Sequence, residues 1–192
     1  MKFSNCYNPA SEFFSSMKNS DLREFYDDFM LNLPYCIEEL MQMIHSTSEF
    51  SGWVADFSAE SLSGLGSWLE RTATKRDFTE KEIDALGGRF SNDDGTSFWD
   101  LSEETKTAAI YAGMYYGQVA LKNNTRLRWE LQLGSRRLAD YGQPVIVGSR
   151  AVPLNPVRVV NSFCRGILSG DKVGGELKEM YEYWASIAQS DV

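Results

Sequence analysis

Three adjacent pairs of carboxylates, Asp27 with Asp28, Glu38 with Glu39 and Glu103 with Glu104, come nearest in this sequence to residues that could do chemistry. Two carboxyl groups flanking a scissile bond supply a general acid and a general base. Neighbouring residues on a helix point about 100° apart, so no single pair is a dyad, and catalysis would need the fold to bring two pairs together. Each pair reads more readily as exposed helix acids. Asp93, Asp94 and Gly95 invite a calcium check, but placing Gly95 at the sixth position of an EF-hand loop puts Phe90 at the first and Leu101 at the last, where carboxylates are required. The single histidine, His45, excludes most Ser-His-Asp, Cys-His and zinc sites, and its place at the end of a helical pattern suits an imidazolium at a helix C-terminus. Gly64, Leu65, Gly66 and Ser67 lie within a helical pattern and form neither a nucleophile elbow nor a phosphate loop, and no Walker motif is present. Cys6, Cys36 and Cys164 are odd in number, scattered and outside any C-x-x-C pair, so they read as reduced thiols filling a core. No metal or cofactor is expected.

Charge is distributed unevenly. Residues 1 to 121 hold 9 Lys or Arg against 20 Asp or Glu, residues 122 to 165 hold 8 against 2, and residues 166 to 192 hold 2 against 5. An acidic surface repels nucleic acid and membrane phosphates and steers basic proteins toward itself, so neither a nucleic-acid nor a membrane partner is expected. The basic stretch contains Arg126, Arg128, Arg136, Arg137, Arg150, Arg158 and Arg165, with Trp129 and Tyr141 available for stacking on RNA. Alternation places Trp129 on the leucine face, away from Arg126 and Arg128, and these arginines are expected to pair with acids of the N-terminal half. No run reaches the ~18 to 20 apolar residues that span a bilayer, and Met1 to Ala10 lacks a leader pattern, so a cytoplasmic location is expected.

These residues need elements to hold them, and the patterns are helical for most of the chain. A short helix is expected from Pro9 to about Met17, a second from Ser20 until Pro34 interrupts it, and a third from Pro34 to about His45. Ser58 caps a helix carrying Leu62, Leu65 and Leu69, and Thr79 with Glu82 forms a capping box for a short helix through Leu86 that Gly87 and Gly88 stop. Ser102 caps the central helix, where Ala109, Gly113 and Gly117 recur every four residues as a flat ridge that another backbone can approach closely. Beside that ridge runs an apolar stripe of Ala108, Ala112, Tyr115 and Val119.

Next, Leu127, Trp129, Leu131 and Leu133 alternate with polar residues in a half-buried strand. A second strand over Gln143 to Val147 and a third over Arg150 to Leu154 complete an antiparallel meander. Asn155 with Pro156 opens a helix that Gly170 ends. A last helix, from Gly175 to Ala188, presents Leu177, Met180, Tyr181, Trp184 and Ile187 to the body. The expected fold is one mainly helical α+β domain over residues 1–192: a helical layer over about 1–122, the meander over about 126–154 and C-terminal helices over about 156–188.

Two blocks of residues carry a family likeness. Trp53, Asp56, Ser58, Glu60, Ser61, Leu62, Leu65, Trp68 and Leu69 form the first. Tyr115, Tyr116, Gly117, Trp129, Glu130, Leu131, Gly142, Pro144, Val145, Asn155, Pro156 and Val157 form the second. Over roughly residues 50 to 168 the chain resembles small bacterial cytoplasmic proteins, some of them immunity proteins encoded beside secreted polymorphic toxins. The resemblance implies a non-catalytic protein that occludes a cognate toxin by stoichiometric binding; it transfers no site residues, because immunity families share none. With the acidic N-terminal half, it makes Asp27, Asp28, Asp93, Asp94, Glu103 and Glu104 the candidate contacts to a toxin or other basic protein. The alternative is a small hydrolase or transferase using carboxylates in a cleft between the helical layer and the sheet.

Overall fold

The computed structural model describes residues 12–85, 98–148 and 152–189, and it is mainly helical α+β. Its centre is the glycine-bearing helix α4, Glu103–Asn123, in which Thr105, every residue from Ala108 to Gly117, Val119 and Ala120 are buried. A helix buried on all sides has neighbours on all sides. Helix α5, Pro156–Ser169, packs most extensively on α4, followed by α1, Asn19–Ser46, while α2, Ser61–Thr72, touches both α4 and α5 and takes α6, Glu176–Gln189, on its other side. The ridge reading of α4 holds in detail. A Cβ built on Gly113 would lie 2.5 Å from the Cα of Val157 in α5, and one on Gly117 would run into the indole ring of Trp129. The close approach of α5 and of that ring is what offsets two helix glycines costing about 1 kcal/mol each.

The caps follow local chemistry. Ser102 Oγ accepts the Thr105 N–H at 3.2 Å at the start of α4, and Asn155 Oδ1 accepts the Arg158 N–H at 3.0 Å at the start of α5, with Pro156 at the first helical position. Gly170 closes α5 with φ of 81°, the left-handed conformation that glycine adopts without penalty. Before α3, Glu80–Ala85, Glu82 Oε2 accepts the Thr79 N–H at 2.7 Å, the reciprocal bond of a capping box. Leu86, the expected end of that helix, lies outside the described residues, as do Gly87, Gly88, Cys6, Arg150, Asp93 and Asp94.

Several expectations need correction. Pro34 does not divide the N-terminal helices; α1 runs through it for 28 residues. An interior proline removes one hydrogen bond and costs about 3 kcal/mol, but Pro34 stands on the exposed face while Leu33, Cys36 and Ile37 around it are buried, so packing carries the helix across. The meander is reduced to two strands, β3, Arg128–Leu131, paired antiparallel with β4, Pro144–Val147; of the expected third strand the described residues show only Leu154, bridged to Ile146. A second small sheet was not expected: β1, Lys75–Asp77, pairs antiparallel with β2, Trp99–Leu101. Finally, Ile187 of α6 is 49% exposed and does not face the body.

The arginines also pair differently from expectation. Of those in the basic stretch, Arg165 meets an acid of the N-terminal half, Asp100, at 2.5 Å; Arg158 pairs with Asp140 at 2.6 Å and Arg128 with Glu130 at 2.8 Å, both acids of the meander region. Arg136 donates to the Ser15 carbonyl at 2.9 Å and lies over the Tyr141 ring. Asp100 is the hub of the charged contacts, since Lys106 also reaches it at 2.7 Å and Arg76 at 3.7 Å. This one carboxylate ties β2 to β1, α4 and α5.

Tyr115 helps to hold the loop before α2, together with Asn123, whose Nδ2 donates to the Phe57 carbonyl at 2.9 Å. Phe57 has φ of 59°, a conformation unusual for a side chain of its size. Tyr115 of α4 stacks on the Phe57 ring, accepts the Phe57 N–H at 3.1 Å and shares a 2.7 Å hydrogen bond with the Ser61 hydroxyl. Replacing Tyr115 by phenylalanine leaves the rings packed but strands an amide, so the unfolding free energy should fall by about 1–2 kcal/mol. Urea unfolding followed by tryptophan fluorescence measures it; an unmoved midpoint would show that the loop does not depend on this hydroxyl.

Candidate functional site

The acids singled out in the sequence lie on two helices. Asp27 and Asp28 are exposed on α1, and Glu103 and Glu104 are exposed in the first turn of α4, where negative charge is favoured by the helix dipole. Along α1 the outward face carries Asp21, Glu24, Asp27, Asp28, Glu38 and Glu39, all exposed. The opposite face buries Leu22, Phe29, Leu33, Cys36, Ile37, Leu40 and Ile44. A strict inner apolar stripe therefore forces the acids outward together.

None of these six carboxylates forms an ion pair among the described residues, whereas Glu82, Asp100, Asp140 and Glu176 each have a cation within 4.0 Å. Several stand three or four residues apart on one face, as Asp21, Glu24 and Asp28 do, and such like-charge neighbours cost a helix about 0.2–0.5 kcal/mol per pair.

The fold brings together part of what the carboxylate reading required. A groove of about 540 Å³ between α1 and α4 is lined by Glu39 and Met43 on one side and by Glu103, Glu104 and Tyr111 on the other. Tyr111 is buried and its hydroxyl donates to Glu39 Oε2 at 2.7 Å. Glu103 is held by Lys106 at 2.9 Å, and Lys106 in turn by Asp100. The groove thus offers an apolar floor with a carboxylate rim, a shape that accepts a cationic side chain with an aliphatic stem. It lies between two helices, away from the expected cleft beside the sheet.

Asp27 and Asp28 are not part of that groove. Asp27 and Glu39 stand twelve positions apart along the helix, about 18 Å at the rise of an α-helix. Asp27 instead lines a second groove of about 470 Å³, with Arg23, Tyr26, Arg128, Glu130 and Leu133. Burial, with the charges of Glu130 and Asp27, pushes the Tyr26 phenol above its ordinary value. Trp129 forms part of the wall of that groove and stands edge-to-face with Phe29; its buried indole N–H has no acceptor among the described residues.

The remaining reactive groups serve the fold. His45 Nε2 lies 2.7 Å from the Trp53 carbonyl, which only accepts, so that nitrogen carries the proton and pins the loop after α1. Cys36 and Cys164 are buried, and burial pushes both thiols up to about 12, far from the thiolate that nucleophilic chemistry needs. Among the described residues no group of three or more potential ligands could hold a metal ion, and no helix is long and apolar enough to cross a membrane.

Sequence reasoning missed the pairing of Tyr111 with Glu39 and the exposure of two large apolar residues on α1, Leu31 at 68% and Tyr35 at 64%. A signal for the second was available: both fall off the buried stripe of α1, four residues apart. Compared with protein-family models, curated proteins and solved structures, the chain matches none.

Proposed function

We propose that this protein is a stoichiometric binding protein for a basic protein partner, and specifically that it neutralises a cognate toxin by occluding it, as immunity proteins do. The observation that carries the reading is the row of carboxylates on the outer face of α1 that lack an ion pair among the described residues, with Glu39 also lining the acid-rimmed groove against α4. Such a surface raises the encounter rate with a cationic partner and rejects polyanions. The groove then receives a lysine or arginine of the partner, its stem against Met43 and Tyr111 and its charge beside Glu39 and Glu104.

Reversing two charges, Asp27→Lys with Asp28→Lys, should lower the association rate with that partner about tenfold at low salt and flatten its salt dependence, because exposed charges act through screened long-range attraction. Both residues are exposed, so the fold should be kept. Stopped-flow mixing at several ionic strengths reads both quantities; an unchanged on-rate would contradict the proposal.

A second reading, a hydrolase or transferase using carboxylates as acid and base, is favoured by the meeting of Glu39 with Glu103 and Glu104 around one groove. It requires turnover that disappears in Glu39→Gln and Glu104→Gln with the fold intact.

A further inference from the structure

We infer that the outer face of α1 seats an amphipathic helix of the partner, flanked by lysine or arginine, with Leu31 and Tyr35 as its apolar anchors. This rests on the reading of the protein as a binder of basic proteins and names the shape of what it binds. Leu31 is 68% exposed and Tyr35 64%, and at i and i+4 they stand side by side one turn apart, with exposed Pro34 next to them. Asp28 precedes this patch and Glu38 follows it, ten residues or about 15 Å apart, both exposed and neither ion-paired among the described residues. An exposed aromatic and aliphatic centre with a charged rim is the anatomy of an energetically focused interface.

The occupant follows from charge and from hydrogen-bond accounting. A second copy of the chain would lay acid on acid, and nucleic acid or an anionic membrane would be repelled. A cationic protein segment remains. A helix satisfies its own amides and docks on another helix face without needing a strand edge, which the α1 face does not offer. Its apolar stripe packs with the ridge of Leu31 and Tyr35 in its groove, while cations on either side reach Asp28 and Glu38.

The test uses the full chain and two synthetic peptides of about five helical turns. Both have the same leucine and lysine composition, one with leucine at i, i+3, i+4 and i+7 and one scrambled so that no apolar face forms. Fluorescence anisotropy titration should show the amphipathic peptide binding about tenfold more tightly than the scrambled one, and this preference should vanish in the Leu31→Gln, Tyr35→Gln variant. Circular dichroism checks that the variant keeps its helix content, as substitution at exposed positions should allow. No preference in the wild type, a preference that survives the double substitution, or no binding by either peptide overturns the inference. The broader reading is separated by Asp27→Lys with Asp28→Lys: where the anchors fail but this variant weakens both peptides, a basic partner still fits; where it weakens neither, that reading fails too.

Discussion

Replacing Gly113 by alanine should lower the unfolding free energy by about 2 kcal/mol, although the same change in an isolated helix would add about 1 kcal/mol. The new methyl would lie 2.5 Å from the Val157 Cα and 2.9 Å from its nitrogen, so it meets backbone and cannot be relieved by turning a side chain. Helix α5 must move off α4, loosening the most extensive helix contact in the molecule. For a chain of 192 residues the corresponding fall in melting temperature is about 4–8 °C. Calorimetry on the wild type and on Gly113→Ala measures it. A rise in stability would mean that the ridge is not the close-packing device described above, and that propensity outweighs contact at this position.

Removing the Asp100 carboxylate should cost a similar amount, about 2 kcal/mol for Asp100→Ala, because Arg165 and Lys106 lose their short charged hydrogen bonds, although Lys106 keeps Glu103 and Arg76 keeps Glu82. Its side chain is 16% exposed, so water compensates little. The same group gives stability a pH dependence with a definite sign. Burial pushes the Asp100 carboxyl up, but hydrogen bonding and charge from Lys106, then Arg165 and the Leu101 N–H, outweigh it and hold the group below the usual carboxylate range. The unfolded chain therefore takes up this proton at higher pH than the folded one. The contribution is complete above the unfolded value, near about pH 4, and is lost as pH falls through the folded value. Glu82 acts in the same direction, lowered chiefly by its hydrogen bond to Arg76. Asp100→Asn should therefore lose stability less steeply than the wild type below about pH 4. Chemical denaturation across that range reads the difference; parallel curves would show that Asp100 does not carry the acid sensitivity.

What was legible in the sequence was local or periodic. The α4 ridge, the Asn155-Pro156 helix start, the Thr79–Glu82 box and the alternation around Trp129 each depend on residues within one helix or one strand, and each is present. Sheet β1–β2 was not legible, because each strand has three residues, too few to show a period, and the partners lie more than twenty positions apart. The Asp100 hub was hidden for a related reason: its cations come from positions 76, 106 and 165, and a single aspartate carries no pattern. Pro34 misled because a local rule was applied to a helix that is held from the side by packing. Of the candidate contacts, Asp27, Asp28, Glu103 and Glu104 are exposed as expected, and Asp93 and Asp94 lie outside the described residues. The meeting of Glu39 with Glu103 and Glu104 depends on how α1 lies across α4, which no spacing within either helix encodes.

In the proposed function the exposed acids of α1 form a binding surface for a basic protein. Parallel capture from an extract of the source organism tests it most directly, using the tagged wild type and the tagged Asp27→Lys, Asp28→Lys, Glu38→Lys variant, each eluted with a salt gradient and read by quantitative mass spectrometry. The account predicts a basic protein held in a one-to-one ratio by the wild type, released as salt rises and missing from the variant. Equal retention of the same proteins by both would contradict it.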